Sequence, residues 1–333
     1  MELQGPHQNT PPHDLELSAH ALAKRLPALL MEAKRVAQTV AHGIHGRRRS
    51  GPGETFWQFR HHETGDSAQG IDWRRSASSD HLFVREREWE AAHTVFIWPD
   101  LSPSMAFCSA LAPELKCDRA LVLALAVSEL LIAGGERVGL LGDGPASANR
   151  GTPQKMALSL VQQRRADAPS DSMPPRARLS RFSECVLFSD FLDPPETLAA
   201  CLEHIAAQGV RGHLVQILDP AEETLPYTGR VEFLAMEDDS RMLAPRAEDL
   251  RQAYAERLAR QKDAIAALTR RYEWSYLLHH TDRPAGEALF ALYARLSGLA
   301  DSYRAAPGPA RASRSDETSA SPAEDAPGGR ATP

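Results

Sequence analysis

From about residue 94, short and continuously apolar runs alternate with longer stretches of helical period. The runs "TVFIW" (94–98), "RVGLLGD" (137–143), "CVLFSD" (185–190), "HLVQILD" (213–219) and "WSYLLHH" (274–280) read as strands. Between them, helices are predicted over about 114–133, 153–164, 194–208 and 246–271, and a last one ends near 297. Strands without polar alternation need cover on both faces. The pattern therefore predicts an α/β fold with a doubly wound, mostly parallel sheet of Rossmann type. The helix over 114–133, "ELKCDRALVLALAVSELLIA", is apolar nearly all round and should be buried on most faces.

The amino-terminal third is different. Residues 1–13 are polar and proline-rich, and are expected to be disordered. Apolar positions Leu22, Leu26, Leu29, Ala33, Val36, Val40 and Ile44 then recur at helical spacing. Asp14 suits the N-cap of this helix, and Pro27 should kink or restart it. Residues 54–92 mix aromatic, basic and acidic side chains without a clean period, apart from a strand near Leu82 to Trp89. From Arg304 onward there is no aliphatic side chain larger than alanine and no aromatic one. The expected organisation is thus a disordered start (1–13), a helix with a small β-containing module (14–92), the α/β domain (93–300) and a disordered tail (301–333).

Composition narrows the class. Of 333 residues, 42% are hydrophobic and 25% charged, which are globular proportions. A net charge of −6 argues against a general grip on nucleic acid, and the three arginines of "GRRRS" (46–50) are too few to reverse that. The charge alternation of "REREWE" (85–90) suits a solvated strand face. There is no signal-peptide pattern at the start and no run of eighteen apolar residues, so a cytoplasmic protein without membrane insertion is expected. Cys108, Cys117, Cys185 and Cys201 show no CxxC spacing and read as reduced, mostly buried thiols.

Four strands end on an aspartate: Asp100, Asp143, Asp190 and Asp219. In a parallel sheet these ends share one rim, where doubly wound folds bind ligands. Asp143 and Asp219 read as ordinary turn or cap residues. If the strand order is 3-2-1-4-5-6, strands one and four are neighbours where the order reverses. Asp100 and Asp190 then face each other, with Ser102 and Ser104 of "DLSPSM" between them. Two carboxylates brought together repel unless a cation lies between them, and carboxylates with hydroxyls are ligands for a small hard ion.

"DLSPSM" before a buried helix, with "FSD" ending a later strand, resembles the metal-ion-dependent adhesion site of von Willebrand factor A domains. The resemblance places the metal ligands on Asp100, Ser102, Ser104 and Asp190, with Mg²⁺, or another divalent cation such as Mn²⁺, as the cofactor. That family also uses a threonine, for which Thr152 in "NRGTPQK" is the nearest candidate. The preceding segment sharpens the match. Gly65, Asp66, Ile71, Asp72, Trp73, Arg74, Ser76, Ala77, Val84, Arg85 and Glu86 resemble the signature of a bacterial family catalogued as domain of unknown function number fifty-eight. Ser67 and Gln69 depart from its pattern. Asp66, Asp72, Trp73, Arg74 and Arg85 then stand as a structural latch or a partner-docking surface. Many members carry two amino-terminal membrane helices, and this sequence resembles the shorter, soluble type. Such members imply a partnership with a MoxR-type AAA+ ATPase in chaperone-like assembly or maturation of a client protein.

No enzyme motif competes strongly. The sequence "GDG" at 142–144 has no third glycine at dinucleotide spacing, and no phosphate-binding G-x-x-x-x-G-K-[ST] loop or G-x-S-x-G elbow occurs. The histidine pairs 61–62 and 279–280 cannot both reach one site from a strand. A non-enzymatic, metal-dependent binding protein is the expectation, in which an open metal position receives an acidic side chain from a partner. The alternative is a metal-dependent hydrolase using the Asp100/Asp190 rim, which would need a general base that no residue obviously supplies.

Overall fold

A computed structural model describes residues 19–45, 58–61, 71, 73–77, 79, 81–86, 93–112, 114–165, 171–236 and 240–297. Its centre is a five-stranded parallel sheet built from β3 (Thr94–Pro99), β4 (Arg137–Leu140), β5 (Glu184–Ser189), β6 (Arg211–Leu218) and β9 (Ser275–His280), in the order β4-β3-β5-β6-β9. The α/β, doubly wound class read from the alternation is the class observed. The strand order differs from the expected 3-2-1-4-5-6. Counted within this sheet it is 2-1-3-4-5, and Asp190 follows the third strand, not the fourth. Past β4 the described residues make only an isolated antiparallel bridge, Val138 to Ser147, where the expected order needed a further strand. The reversal point still falls beside β3, whose neighbour β5 pairs with it from Val95↔Glu184 to Pro99↔Phe188.

Side-chain alternation splits each strand between two cores. Val95, Ile97, Val186, Phe188, Val215 and Ile217 face one core, and Phe96, Cys185, Leu187 and Leu214 face the other. The first core is covered by α3 (Lys116–Ala133), which is itself covered by α1 (Ala19–His45). Leu22, Leu26, Leu29, Ala33, Ala37 and Val40 line the buried stripe of α1. Helix α3 therefore lies between the sheet and a second helical layer, which is why it can be apolar nearly all round. Helices α4 (Thr152–Arg165) and α8 (Ala285–Leu296) flank α3 against the sheet and are likewise overlain by α1, while α5 (Pro195–Ala206) and α7 (Arg251–Arg271) flank the second core. Pro27 sits inside α1 without ending it, and Asp14 lies outside the described residues.

The module before β3 has a two-stranded antiparallel ribbon, β1 (Gln58–His61) with β2 (Phe83–Glu86), and one turn of helix, α2 (Trp73–Ser76). A second ribbon, β7 (Val231–Leu234) with β8 (Arg241–Ala244), and the short α6 (Pro220–Thr224) lie between β6 and α7, where the pattern predicts no element. The expected disordered ends lie outside the described residues. No helix among the described residues is long and apolar enough to cross a membrane. All four cysteines are free: Cys117 and Cys185 are buried, Cys201 is partly so, and Cys108 is exposed.

Arg119 fastens α3 to the end of β9. Its guanidinium donates to Glu114 Oε2 (2.6 and 3.0 Å) and to the carbonyls of Thr281 (3.1 Å) and Arg283 (2.5 Å), and meets His279 Nε2 at 3.2 Å. Burial, then the Arg119 and His280 charges, pull the His279 pKa from 6.5 down to about 3. An unfolded histidine takes up its proton near 6.5, but the folded one does so only near 3. The stability contribution is thus complete above 6.5 and is lost progressively as pH falls from there towards 3. His279→Gln should flatten the wild-type acid slope, by ~2 kcal/mol at pH 5, read by urea unfolding across pH 4–8. Identical slopes in the two proteins would show that His279 does not titrate in this way.

A buried carboxylate rim at the switch point

The rim at the ends of β3, β5 and β6 collects Asp100, Asp190 and Asp219, all buried. Asp100 follows β3, and its own N–H donates to the Phe188 carbonyl of β5 at 2.8 Å. Its Oδ1 accepts the Ser102 N–H (2.7 Å), and its Oδ2 accepts the Ser189 hydroxyl (2.7 Å). The Ser102 and Ser104 hydroxyls lie 3.2 Å apart at the start of a short 3₁₀ turn, Pro103–Ala106. Burial is the main force pushing the Asp100 pKa up to about 7. The Asp190 charge adds to it, against the bonds from Ser189 and Ser102.

Asp190 has a different companion. Lys116, the first residue of α3, is completely buried and donates from Nζ to Asp190 Oδ2 (2.8 Å) and Glu222 Oε1 (2.5 Å). Burial alone would depress the Lys116 pKa, but the two carboxylates outweigh it and hold the ammonium well above the ordinary lysine range. Burial likewise pushes Glu222 up, opposed by Lys116. Glu222 is fixed by a capping box at the start of α6. Its Oε2 accepts the Asp219 N–H (2.8 Å), while Asp219 Oδ1 accepts the Ala221 N–H (2.8 Å). Asp219 also takes the Ser109 hydroxyl (2.6 Å) and N–H (2.9 Å), tying the loop after β3 to β6. The cap reading of Asp219 is thus observed. Asp143, after β4, accepts a bond from Ser159 of α4.

The fold therefore brings together Asp100, Ser102, Ser104 and Asp190, but inserts a lysine beside the last of them. Among the described residues, no side-chain cation pairs with Asp100. An aspartate and two hydroxyls at such a place fit a small hard cation, which would supply the missing positive charge. Thr152 opens α4, and its buried hydroxyl has no hydrogen-bond partner among the described residues, but the chain reaches it only after Ser147 has turned back antiparallel along Val138 towards the start of β4, so it is not brought to this rim. Among the described residues, no group of three or more His, Cys, Asp or Glu side chains forms a metal cluster, so such an ion would lean on hydroxyls. Of the signature residues, Trp73 and Arg74 are exposed, while Asp66, Asp72 and the Arg85 side chain lie outside the description. Arg75 instead stacks on Phe83, 5.2 Å from the ring centre.

The sequence profile of the family described as "Protein of unknown function DUF58" matches residues 58–264. The chain belongs to the DUF58 family. That stretch contains the β1–β2 ribbon and the whole rim from Asp100 to Glu222. Among curated proteins, the chain is similar to the uncharacterized protein Rv1480 of Mycobacterium tuberculosis and to the uncharacterized protein Mb1516 of Mycobacterium bovis. Each is 28% identical over 225 residues, covering 63% of this chain and 69% of the relative. Among solved structures, it is similar to the conserved hypothetical protein BatB from Bacteroides thetaiotaomicron at 13% identity and a TM-score of 0.31. It is also similar to an aerotolerance-related membrane protein from Bacteroides fragilis, at 15% and 0.34, and in both cases 62% of this chain covers 99% of the other.

Lys116 and Glu222 are the site residues that the sequence reading passed over, and both left a signal. A lysine at the first position of a helix opposes the helix dipole, so Lys116 needs a local reason to be there. "DPAE" (219–222) has the spacing of a capping box, which points the Glu222 carboxylate back towards the strand end.

Proposed function

We propose that this DUF58 protein is a metal-dependent protein-binding module. Asp100, Ser102 and Ser104 hold Mg²⁺ or a similar divalent ion, with Asp190 beside them, and an acidic side chain of a partner protein completes the site. The observation that carries this reading is the charge balance of the rim. Asp190 has Lys116, whereas the fully buried Asp100 has, among the described residues, only hydrogen bonds and lies next to another carboxylate. A divalent ion would restore the ionised form of Asp100 and leave a positive position facing outward, which a partner carboxylate can occupy. The resemblance to MoxR-associated family members extends the proposal to a partnership with an AAA+ ATPase in assembling or maturing a client.

The test is a pull-down with the tagged full chain from its native lysate, run in parallel with Mg²⁺ and with EDTA, with retained proteins identified by mass. An AAA+ ATPase or client retained only with Mg²⁺ by wild type, and lost by a folded Asp100→Ala variant, is the expected result. Metal-dependent retention that survives Asp100→Ala would sink the metal-site proposal.

A further inference from the structure

The face of the sheet opposite α3 is unevenly covered. Helices α5 and α7 pack over its β5–β6–β9 half, whereas the β4–β3 edge is crossed by the non-helical segment 172–180. Between that segment and the edge lies a cleft of about 570 Å³, within the size range of ligand-binding pockets. Its apolar floor includes Phe96, Ala146 and Leu179, and its walls carry Arg137, Arg176 and Arg178.

Two features give the cleft a chemical preference. First, among the described residues no acidic one lines it and none of the three guanidiniums is ion-paired, on a chain whose net charge is −6. Arg137 is oriented by donating to the Ala146 carbonyl at 3.2 Å. Second, the wall is held extended by Gln208. Its carboxamide accepts the Leu179 N–H (2.8 Å) and donates to the Ala177 carbonyl (3.1 Å), as a neighbouring strand residue would. Ala177 and Leu179 then turn towards the core and Arg176 and Arg178 away from it. Alternate residues of an extended chain stand about 6.5 Å apart. Two guanidiniums at that spacing match alternate carboxylates of another extended chain better than one point anion.

We propose that this cleft docks an extended acidic peptide segment of a partner protein, with carboxylates at alternating positions on Arg176 and Arg178 and apolar residues between them on the Phe96 floor. The site is separate from the carboxylate rim and does not depend on its metal.

The probe is a fluorescein-labelled peptide of alternating glutamate and valine, titrated by anisotropy against the full chain in EDTA. Its glutamine counterpart and inorganic phosphate serve as controls. Saturable binding that weakens with salt is expected for the glutamate peptide alone. The exposed double variant Arg176→Ser/Arg178→Ser should lose roughly tenfold in affinity, the modest loss expected when two solvent-screened ion pairs are removed. Asp100→Ala should bind the peptide as wild type does, whichever way the pull-down falls. No saturation at millimolar peptide, equal binding by the double variant, or equal binding of the glutamine peptide would each overturn the proposal. Loss of binding in Asp100→Ala would move the peptide to the rim, and displacement by equimolar phosphate would replace the peptide with a simple anion. Either outcome also overturns it.

Discussion

Lys116→Met should lose about 3–5 kcal/mol of folding stability, the range seen when one partner of a buried ion pair is removed. The methionine nearly matches the lysine in volume, so little of this loss comes from a cavity. It comes from Asp190 and Glu222, whose side chains are only 2% and 14% exposed and which would face each other without the ammonium. Each would then have to stay protonated or repel the other. Adding Glu222→Gln removes one of the two charges, and the double variant should recover part of the loss. Urea unfolding at neutral pH reads both values. On the metal-binding proposal, Mg²⁺ should raise the stability of Lys116→Met more than that of wild type, because the ion can then be shared with Asp190. A loss for Lys116→Met below about 1 kcal/mol would show that water, not Lys116, solvates the two carboxylates.

Gly212→Ala should cost about 3 kcal/mol although it adds a single carbon to the middle of the sheet. Gly212 lies on β6 opposite Cys185, where a Cβ would come within 2.1 Å of Trp274 Cε3 and 2.3 Å of Cδ2. The indole is 6% exposed and packed in the second core, so it cannot swing aside as a flexible side chain could. Trimming the obstacle should therefore rescue the substitution. Gly212→Ala should be far less harmful in a Trp274→Leu background than in wild type, a non-additivity that a double-mutant cycle measures directly. Simple additivity of the two losses would mean that Trp274 relaxes freely and that the close approach is not what requires glycine.

Much of the scaffold was legible before any coordinates. Helix α3 was recognisable as buried on most faces because a surface helix would have shown a polar face along its whole length, and its middle, Ala120–Val127, shows none. The five strands of the sheet were legible for the same reason, as continuous apolar runs. The β7–β8 ribbon was not, because its strands "VEFL" (231–234) and "RMLA" (241–244) are half-buried or exposed and depend on cross-strand pairing that local sequence does not encode. The strand order was also misjudged. Nothing local to 141–150 distinguishes a sixth strand from the single bridge that Ser147 makes.

What the sequence determined by itself was the set of chemical groups at the strand ends. Parallel strands must all end on one rim, so Asp100, Ser102, Ser104 and Asp190 were bound to share it once the α/β alternation was recognised. What only the tertiary structure decided was how those charges are balanced. Lys116 is 74 residues from Asp190 and 106 from Glu222 in the chain. Coulomb energy between buried groups depends on their separation in space and on the exclusion of water. Neither quantity exists until α3, β5 and α6 have packed together.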